Sequence, residues 1–194
     1  MLTPSKTLIF PILGAVLYSI VCGFFIYTIN GFHGKEAVVL IGELTLAAGA
    51  CTVAASFWNS LRRPSWALAV SGLFCGALGW MIAFWKGPVA FRTIAVLIAG
   101  MAIGMGLHEF QSLRVSQRQA FEAWLSGAAA VVSLGFAVVF LGFVLRWIPL
   151  EPSPSAQTFL CLGAFFGFSA ICMVKMALRL GWPALPALQQ PIAH

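Results

Sequence analysis

One carboxylate lies inside a long apolar run, where charged side chains are rare. Glu43 falls in the stretch LIGELTL, less than two helical turns from the start of that run. An ionisable group at membrane depth is expensive to bury and therefore suggests function. A desolvated carboxylate there could accept a proton; alternatively, it reaches the headgroups or pairs with Lys35, Lys86 or Arg92 at the same membrane face. The sequence thus makes Glu43, with Arg92, the candidate proton or ion-pair site.

A second set of ionisable residues lies near the ends of later apolar runs. His108 and Glu109 are adjacent, so on a helix they point about 100° apart and do not face each other. For Glu109 we expect a salt bridge to Arg62, Arg63 or Arg114. This arrangement would be structural and would not perform chemistry.

Lys175 and Arg179 lie four residues apart near the end of the last apolar run. Long cationic side chains at such positions extend to the headgroup layer. We therefore expect both to snorkel toward one membrane face, where anionic lipids would contact them.

Motifs of known catalytic or cofactor sites are missing from the sequence. It contains no Gly-x-Ser-x-Gly, Walker loop, HExxH or paired carboxylates, and no aspartate at all. Its histidines, His33, His108 and His194, have no spacing typical of a metal or haem site. The five cysteines all fall in apolar runs without a CxxC pair, which predicts free thiols. We expect no enzyme, no cofactor and no metal.

Composition places the whole chain in the membrane. Of its 194 residues, 61% are hydrophobic and 8% are charged, against about 25% charged residues in soluble domains. We expect one polytopic membrane domain over 1–194. The formal charge of +6 is attributed to loops on the cytoplasmic side, and nucleic-acid binding is not expected.

The apolar runs predict an all-α protein of six transmembrane helices arranged as three repeated hairpins. Each run approaches the roughly 20 residues that a bilayer-crossing helix needs. Lys86-Gly87-Pro88 joins the middle pair closely. The spans are predicted at about 8–29, 37–58, the two halves of 66–110, 121–145 and 156–178. The hairpins cover about 8–63, 66–114 and 121–180, followed by a loosely ordered cytoplasmic tail at 181–194.

The distribution of lysine and arginine favours cytoplasmic termini. In that orientation seven cations face the cytoplasm and four face outside, in agreement with the excess of positive charge on inner loops. The predicted inner cations are Lys6, Arg62, Arg63, Arg114, Arg118, Lys175 and Arg179; the outer ones are Lys35, Lys86, Arg92 and Arg146.

Small residues recur with a period near sixty. Gly14, Gly72 and Gly127 fall at matching depth in the odd helices. Pairs of glycines four apart allow helix backbones to approach closely in lipid. We predict that these pairs pack helices within one bundle; the alternative is a dedicated dimer face. The predicted packing residues are Gly72, Gly76, Gly100, Gly104, Gly163 and Gly167.

These features together resemble the HdeD family of small bacterial inner-membrane proteins. The resemblance covers about Leu8 to Arg179. It rests on the glycine-marked hairpins, on Trp66…Ser71-Gly72 and Trp124-Leu125-Ser126-Gly127, on a Gly-Pro link and on basic loops between hairpins. It implies a six-helix inner-membrane protein, a role in acid resistance and no known catalytic residues. The proline-rich outer loop and Glu43 depart from the family pattern.

Two functions follow as hypotheses. The first is a non-enzymatic HdeD-type protein of the inner membrane that contributes to acid or envelope stress tolerance through packing and partner contacts. The second is a small proton-linked transporter or channel that uses Glu43. The expected partners are the bilayer and its anionic lipids at the cytoplasmic face; a homo-oligomer or another membrane partner is left open.

Overall fold

The described residues of the protein form six helices. The computed structural model describes residues 8–28, 35–57, 65–84, 91–115, 120–145, 147 and 156–181. The helices are α1 (Ile9–Thr28), α2 (Lys35–Phe57), α3 (Trp66–Phe84), α4 (Phe91–Val115), α5 (Ala120–Val144) and α6 (Ala156–Gly181).

Every one of these helices is long and apolar enough to cross a bilayer. The predicted count of six spans in an all-α protein is confirmed over the described ranges, which contain no strand. Large apolar side chains cover the outside of the bundle; Leu73, Val131 and Ile171 are each more than 60% exposed. Apolar side chains on the outside of a bundle face lipid tails, which are equally apolar. With its six candidate spans, the protein is therefore a multi-pass membrane protein.

Two helix ends differ from the sequence prediction. α4 continues to Val115, although the prediction ended it near Phe110, and α6 continues to Gly181. The extra turn of α4 forms because Ser112 is buried there against α5, where its hydroxyl lies 3.4 Å from Ser126 Oγ. The link Lys86-Gly87-Pro88, the basic loop 59–64 and residues 182–194 of the predicted tail lie outside the described residues.

The closest helix neighbours belong to different predicted hairpins. The three most extensive contacts join α2 to α3, α4 to α5, and α1 to α6; α3 with α4 and α1 with α2 follow. α5 and α6 meet instead through aromatic rings, with Phe136 and Phe165 in edge-to-face contact at a centroid distance of 5.5 Å. The bundle is therefore tightest between helices that belong to different predicted hairpins.

Glycines bring α2 and α3 together backbone to backbone. A β-carbon added at Gly79 would lie 2.3 Å from the Leu46 nitrogen, and one at Gly49 would lie 2.5 Å from the Gly76 nitrogen. A β-carbon at Gly72 would lie 2.8 Å from the Gly49 oxygen. Any side chain at these positions would push the two helices apart.

The other predicted packing glycines also face neighbouring helices. A β-carbon at Gly100 would meet the Phe74 ring at 2.9 Å, and one at Gly104 would meet the Ala67 oxygen at 2.8 Å. Gly163 and Gly167 face α1, each with an atom of that helix at 3.1 Å from the added carbon. Gly42, Gly49 and Gly79, which make the closest approaches between α2 and α3, were not among the predicted packing residues.

α4 lies nearest the middle of the bundle. It has the largest buried share of the six spans, 56%, against 28% for α1 and α5, and its mean hydropathy is the lowest. A span that faces protein instead of lipid no longer needs apolar residues on every side. The two helices most enclosed by protein, α4 at 56% and α6 at 50%, are the ones that carry buried charge.

Candidate functional site

A buried ion pair joins α4 to α6. The Lys175 ammonium donates to Glu109 Oε2, and the two side chains are only 13% and 3% exposed. Both residues lie inside helices that qualify as membrane spans. Charges at such depth are placed in the bundle interior and paired, because neither lipid nor bulk water can solvate them there.

Serine hydroxyls extend the pair toward α5. Ser112 Oγ lies 3.3 Å from Glu109 Oε2 and 3.4 Å from Ser126 Oγ. Ser126 Oγ in turn accepts from Lys175 Nζ at 3.4 Å and from Arg179 at 3.0 Å. One small hydroxyl on α5 therefore connects both cations of α6 with the carboxylate of α4.

The outer member of this cluster is a second, more exposed ion pair. Arg179 lies 3.6 Å from Glu122 Oε2, with side chains 20% and 42% exposed. We call Glu109, Lys175, Ser112, Ser126, Arg179 and Glu122 the ionic cluster. The cluster extends from the bundle interior to the surface. Its two carboxylates and two cations give it no net charge.

Helical spacing explains how the chain assembles this cluster. Residues three or four apart lie on the same helix face. Glu109 and Ser112 are three apart on α4, while Lys175 and Arg179 are four apart on α6. Glu122 and Ser126 are likewise four apart, at the start of α5. Three helix ends thus present one polar face each toward a common point.

His108 makes a separate polar contact with the start of α3. Its Nδ1 lies 2.8 Å from Ser65 Oγ, and both residues are buried. Ser65 immediately precedes α3, and its hydroxyl accepts from the Leu68 N–H at 3.4 Å, as an N-cap does. Which of the two groups donates in the contact between Ser65 and His108 depends on the imidazole tautomer. His108 therefore helps to hold the start of α3 against α4.

A small cavity adjoins the ion pair between α4 and α6. Its volume is about 10 Å³, measured as space for the centre of a water molecule, which is roughly the least that admits one water. Leu68 of α3 lines one side of it. The remaining lining comes from Met105, His108, Glu109, Cys172, Met173 and Met176.

Glu43 and Arg92, the predicted candidates, lie elsewhere. Both are exposed, Glu43 on α2 and Arg92 near the start of α4. Neither forms an ion pair with another described side chain. The side chains of Lys35 and Lys86 lie outside the described residues, so the role assigned to Glu43 stays a prediction.

One expectation about the later residues was wrong. Lys175 does not snorkel to the headgroups but pairs with Glu109. The side chains of Arg62, Arg63 and Arg114, the expected partners of Glu109, lie outside the described residues. The error arose because each charge was judged separately against the nearest span end. Opposite charges inside two different spans were the signal that pointed to a pair.

Groups of three or more His, Cys, Asp or Glu side chains that could hold a metal ion do not occur in the described part of the chain. The five cysteines are free. No protein-family model, curated protein or solved structure matches this sequence. The function therefore has to be argued from the geometry of the bundle itself.

Proposed function

We propose that this chain is a non-catalytic bacterial inner-membrane protein of HdeD type that contributes to acid or envelope stress tolerance. In this proposal the Glu109–Lys175 pair is its proton-responsive element. The observation that carries it is the burial of this pair inside the spans, since every other described carboxylate is more exposed.

Protonation of Glu109 would change the packing of α4 against α6. A neutral carboxyl group still accepts a hydrogen bond but no longer balances the Lys175 charge. An unpaired cation in a buried site is strongly destabilising. Protonation of Glu109 would thus weaken the contact between these two helices.

The neighbouring groups determine how the pair would respond. On α6, Arg179 contacts the same Ser126 hydroxyl as Lys175, and on α4 His108 immediately precedes Glu109. Glu122 of α5 balances Arg179. Protonation of Glu109 would therefore leave an excess positive charge among groups that are otherwise balanced.

The proposal includes cytoplasmic termini. The ionic cluster occupies the end of the bundle where the predicted inner loops 59–64 and 111–119 attach, so its exposed Arg179 and Glu122 would face the cytoplasm. Contact with anionic lipids is assigned to the basic residues of those loops, because the ammonium of Lys175 is engaged by Glu109.

We also infer that the three hairpins are related by an internal repeat. In a threefold arrangement the second helix of each hairpin would meet the first helix of the next. The three most extensive contacts, α2 with α3, α4 with α5, and α6 with α1, follow that rule. The contact of α5 with α6 departs from that rule, because these two helices meet through the Phe136 and Phe165 rings.

A proton-linked transporter or channel is the second candidate. The buried carboxylate that such a protein needs is supplied by Glu109, whereas Glu43 is exposed. The serines of the ionic cluster connect Glu109 to the more exposed Glu122. In this case Glu109 and not Glu43 would bind the transported proton.

Acid survival tests the first function. A bacterium lacking its own copy would carry the wild-type gene or a variant at equal membrane abundance. We expect Glu109→Gln and Lys175→Met to lose protection, and Glu43→Gln, which removes an exposed carboxylate, to keep it. Equal protection by all three variants would contradict the proposal.

Proteoliposomes separate the two candidates. Under an imposed pH gradient, the non-transporting protein leaves the internal pH unchanged, as does Glu109→Gln. A proton flux that wild type shows and Glu109→Gln lacks would favour the transporter.

Reporter fusions in the 59–64 and 111–119 loops check the orientation, with cytoplasmic signals expected from both.

A further inference from the structure

Sulfur-bearing side chains converge on the cavity beside the ion pair. Cys172, Met173 and Met176 of α6 and Met105 of α4 all line it, together with the His108 imidazole. Four of its seven lining residues thus carry sulfur. Both helices contribute, although the residues are more than 60 positions apart in the chain.

We propose that this cavity is a binding site for a soft monovalent metal ion, and that the ion it prefers is Cu(I). Thioethers and thiolates select Cu(I), whereas carboxylates and water suit harder ions. The donors are the Met105 and Met176 thioethers and the Cys172 thiolate. Met173 and His108 complete the wall of the site.

The remaining donor types argue against a harder or more highly charged ion. His, Cys, Asp and Glu side chains in the described residues do not form the groups of three that zinc or manganese sites use. The one carboxylate that lines the cavity, Glu109, is already paired with Lys175, which leaves the thioethers and the Cys172 sulfur as the donors. The cavity therefore matches Cu(I) and its close analogue Ag(I), and does not match Zn(II).

One contact holds a donor in place before any ion arrives. Ser169 Oγ lies 3.4 Å from Met105 Sδ, so a hydroxyl from α6 contacts the thioether from α4. Cys172 and Glu109 line the same cavity from α6 and α4. Ordered partners reduce the conformational entropy that ligands lose when a metal binds.

Charge balance follows from the same contacts. Cu(I) replaces the proton of the Cys172 thiol: the S–H bond breaks, a sulfur–copper bond forms, and one proton leaves for solvent. No electron is transferred. The site keeps its net charge because Glu109 remains paired with Lys175, so binding should release one proton for each ion bound.

Metal titration tests the site directly. The purified protein in detergent would compete for Cu(I) with a chromogenic Cu(I) chelator under anaerobic reducing conditions. We expect one equivalent to be retained and the affinity to fall at least tenfold in Met105→Leu/Met176→Leu. Cys172→Ser should weaken binding and abolish the proton release. Zn(II) at the same concentration should not be retained.

Matched variants separate a metal site from core packing. Met101→Leu and Met81→Leu replace methionines that are equally buried but do not line the cavity, and they should bind like wild type. Leucine nearly conserves volume, and melting curves would check that each variant folds. X-ray absorption of the copper-loaded wild type should show a sulfur shell.

The proposal is overturned if wild type retains no Cu(I), or if Met105→Leu/Met176→Leu binds as tightly as wild type. It is equally overturned if the copper shell contains only nitrogen and oxygen.

Discussion

Two helix interfaces in this bundle are built on opposite principles. α2 and α3 meet through glycines, with backbone atoms so close that added β-carbons would lie 2.3–2.8 Å from the facing helix. α4 and α6 meet through long side chains, with a buried ammonium on a buried carboxylate. The first interface excludes side chains, whereas the second depends on them.

We assign assembly of the bundle to the glycine interface between α2 and α3, and function to the ion pair between α4 and α6. Close backbone contact provides van der Waals packing where lipid supplies no hydrophobic drive between helices, and it holds no group that can react. A buried ion pair often adds little net stability over an apolar pair of similar shape. Its presence in α4, the most enclosed helix, is therefore better explained by function than by packing.

Removal of one charge should have the largest effect on this comparison. Lys175→Met leaves Glu109 buried without its partner, and we expect a loss of about 3–5 kcal/mol in unfolding free energy. Glu109→Gln/Lys175→Met removes both charges and should cost less than Lys175→Met alone. Denaturant unfolding in detergent measures both. A double-variant loss equal to the sum of the separate Glu109→Gln and Lys175→Met losses would mean that the two charges do not interact.

A single methyl group should test the glycine interface next. Gly79→Ala places a carbon against the backbone of α2, and we expect about 1–3 kcal/mol of destabilisation. Gly135→Ala is the control, because nothing lies within 4 Å of its added carbon. In that control alanine should be neutral or stabilising, since it favours helix by about 1 kcal/mol over glycine. Similar melting of the two variants would disprove close packing at Gly79.

A neutral hydrogen bond should matter less than either interface. Tyr18 is fully buried, and its hydroxyl lies 2.9 Å from Thr52 Oγ, which bonds the Ala48 oxygen on its own helix. Tyr18→Phe should cost about 1 kcal/mol, because one buried hydrogen bond is lost without stranding a charge. Thermal unfolding checks this. A loss as large as that of Lys175→Met would show that neutral contacts are as important here as charges.

The smallest effect is expected at Glu43. This carboxylate is exposed on α2, so Glu43→Gln should change the unfolding free energy by about 0–1 kcal/mol, as for an exposed ion pair. Acid survival should also remain at the wild-type level. Loss of acid protection with unchanged stability would restore Glu43 as the proton site and would displace Glu109.

Several charged residues of the site could be singled out from the sequence, but their arrangement in space could not. Glu109, His108, Lys175 and Arg179 were all recognised near span ends. Lys175 was assigned to the headgroups instead of to Glu109, because the pairing depends on how α4 and α6 are rotated toward each other. Ser112 was not singled out, and Ser126 was noted only within Trp124-Leu125-Ser126-Gly127, since a buried serine gains meaning only from what it contacts.

The sequence by itself determined the number of spans, their limits to within a few residues and the all-helical class. Lipid imposes these locally: each crossing needs an unbroken apolar stretch whose backbone hydrogen bonds are satisfied within one helix. Tertiary structure alone decided that Glu109 meets Lys175, that Gly79 meets α2 and that four sulfur residues share one cavity. Those contacts join distant parts of the chain, and they depend on helix order and rotation, which packing determines.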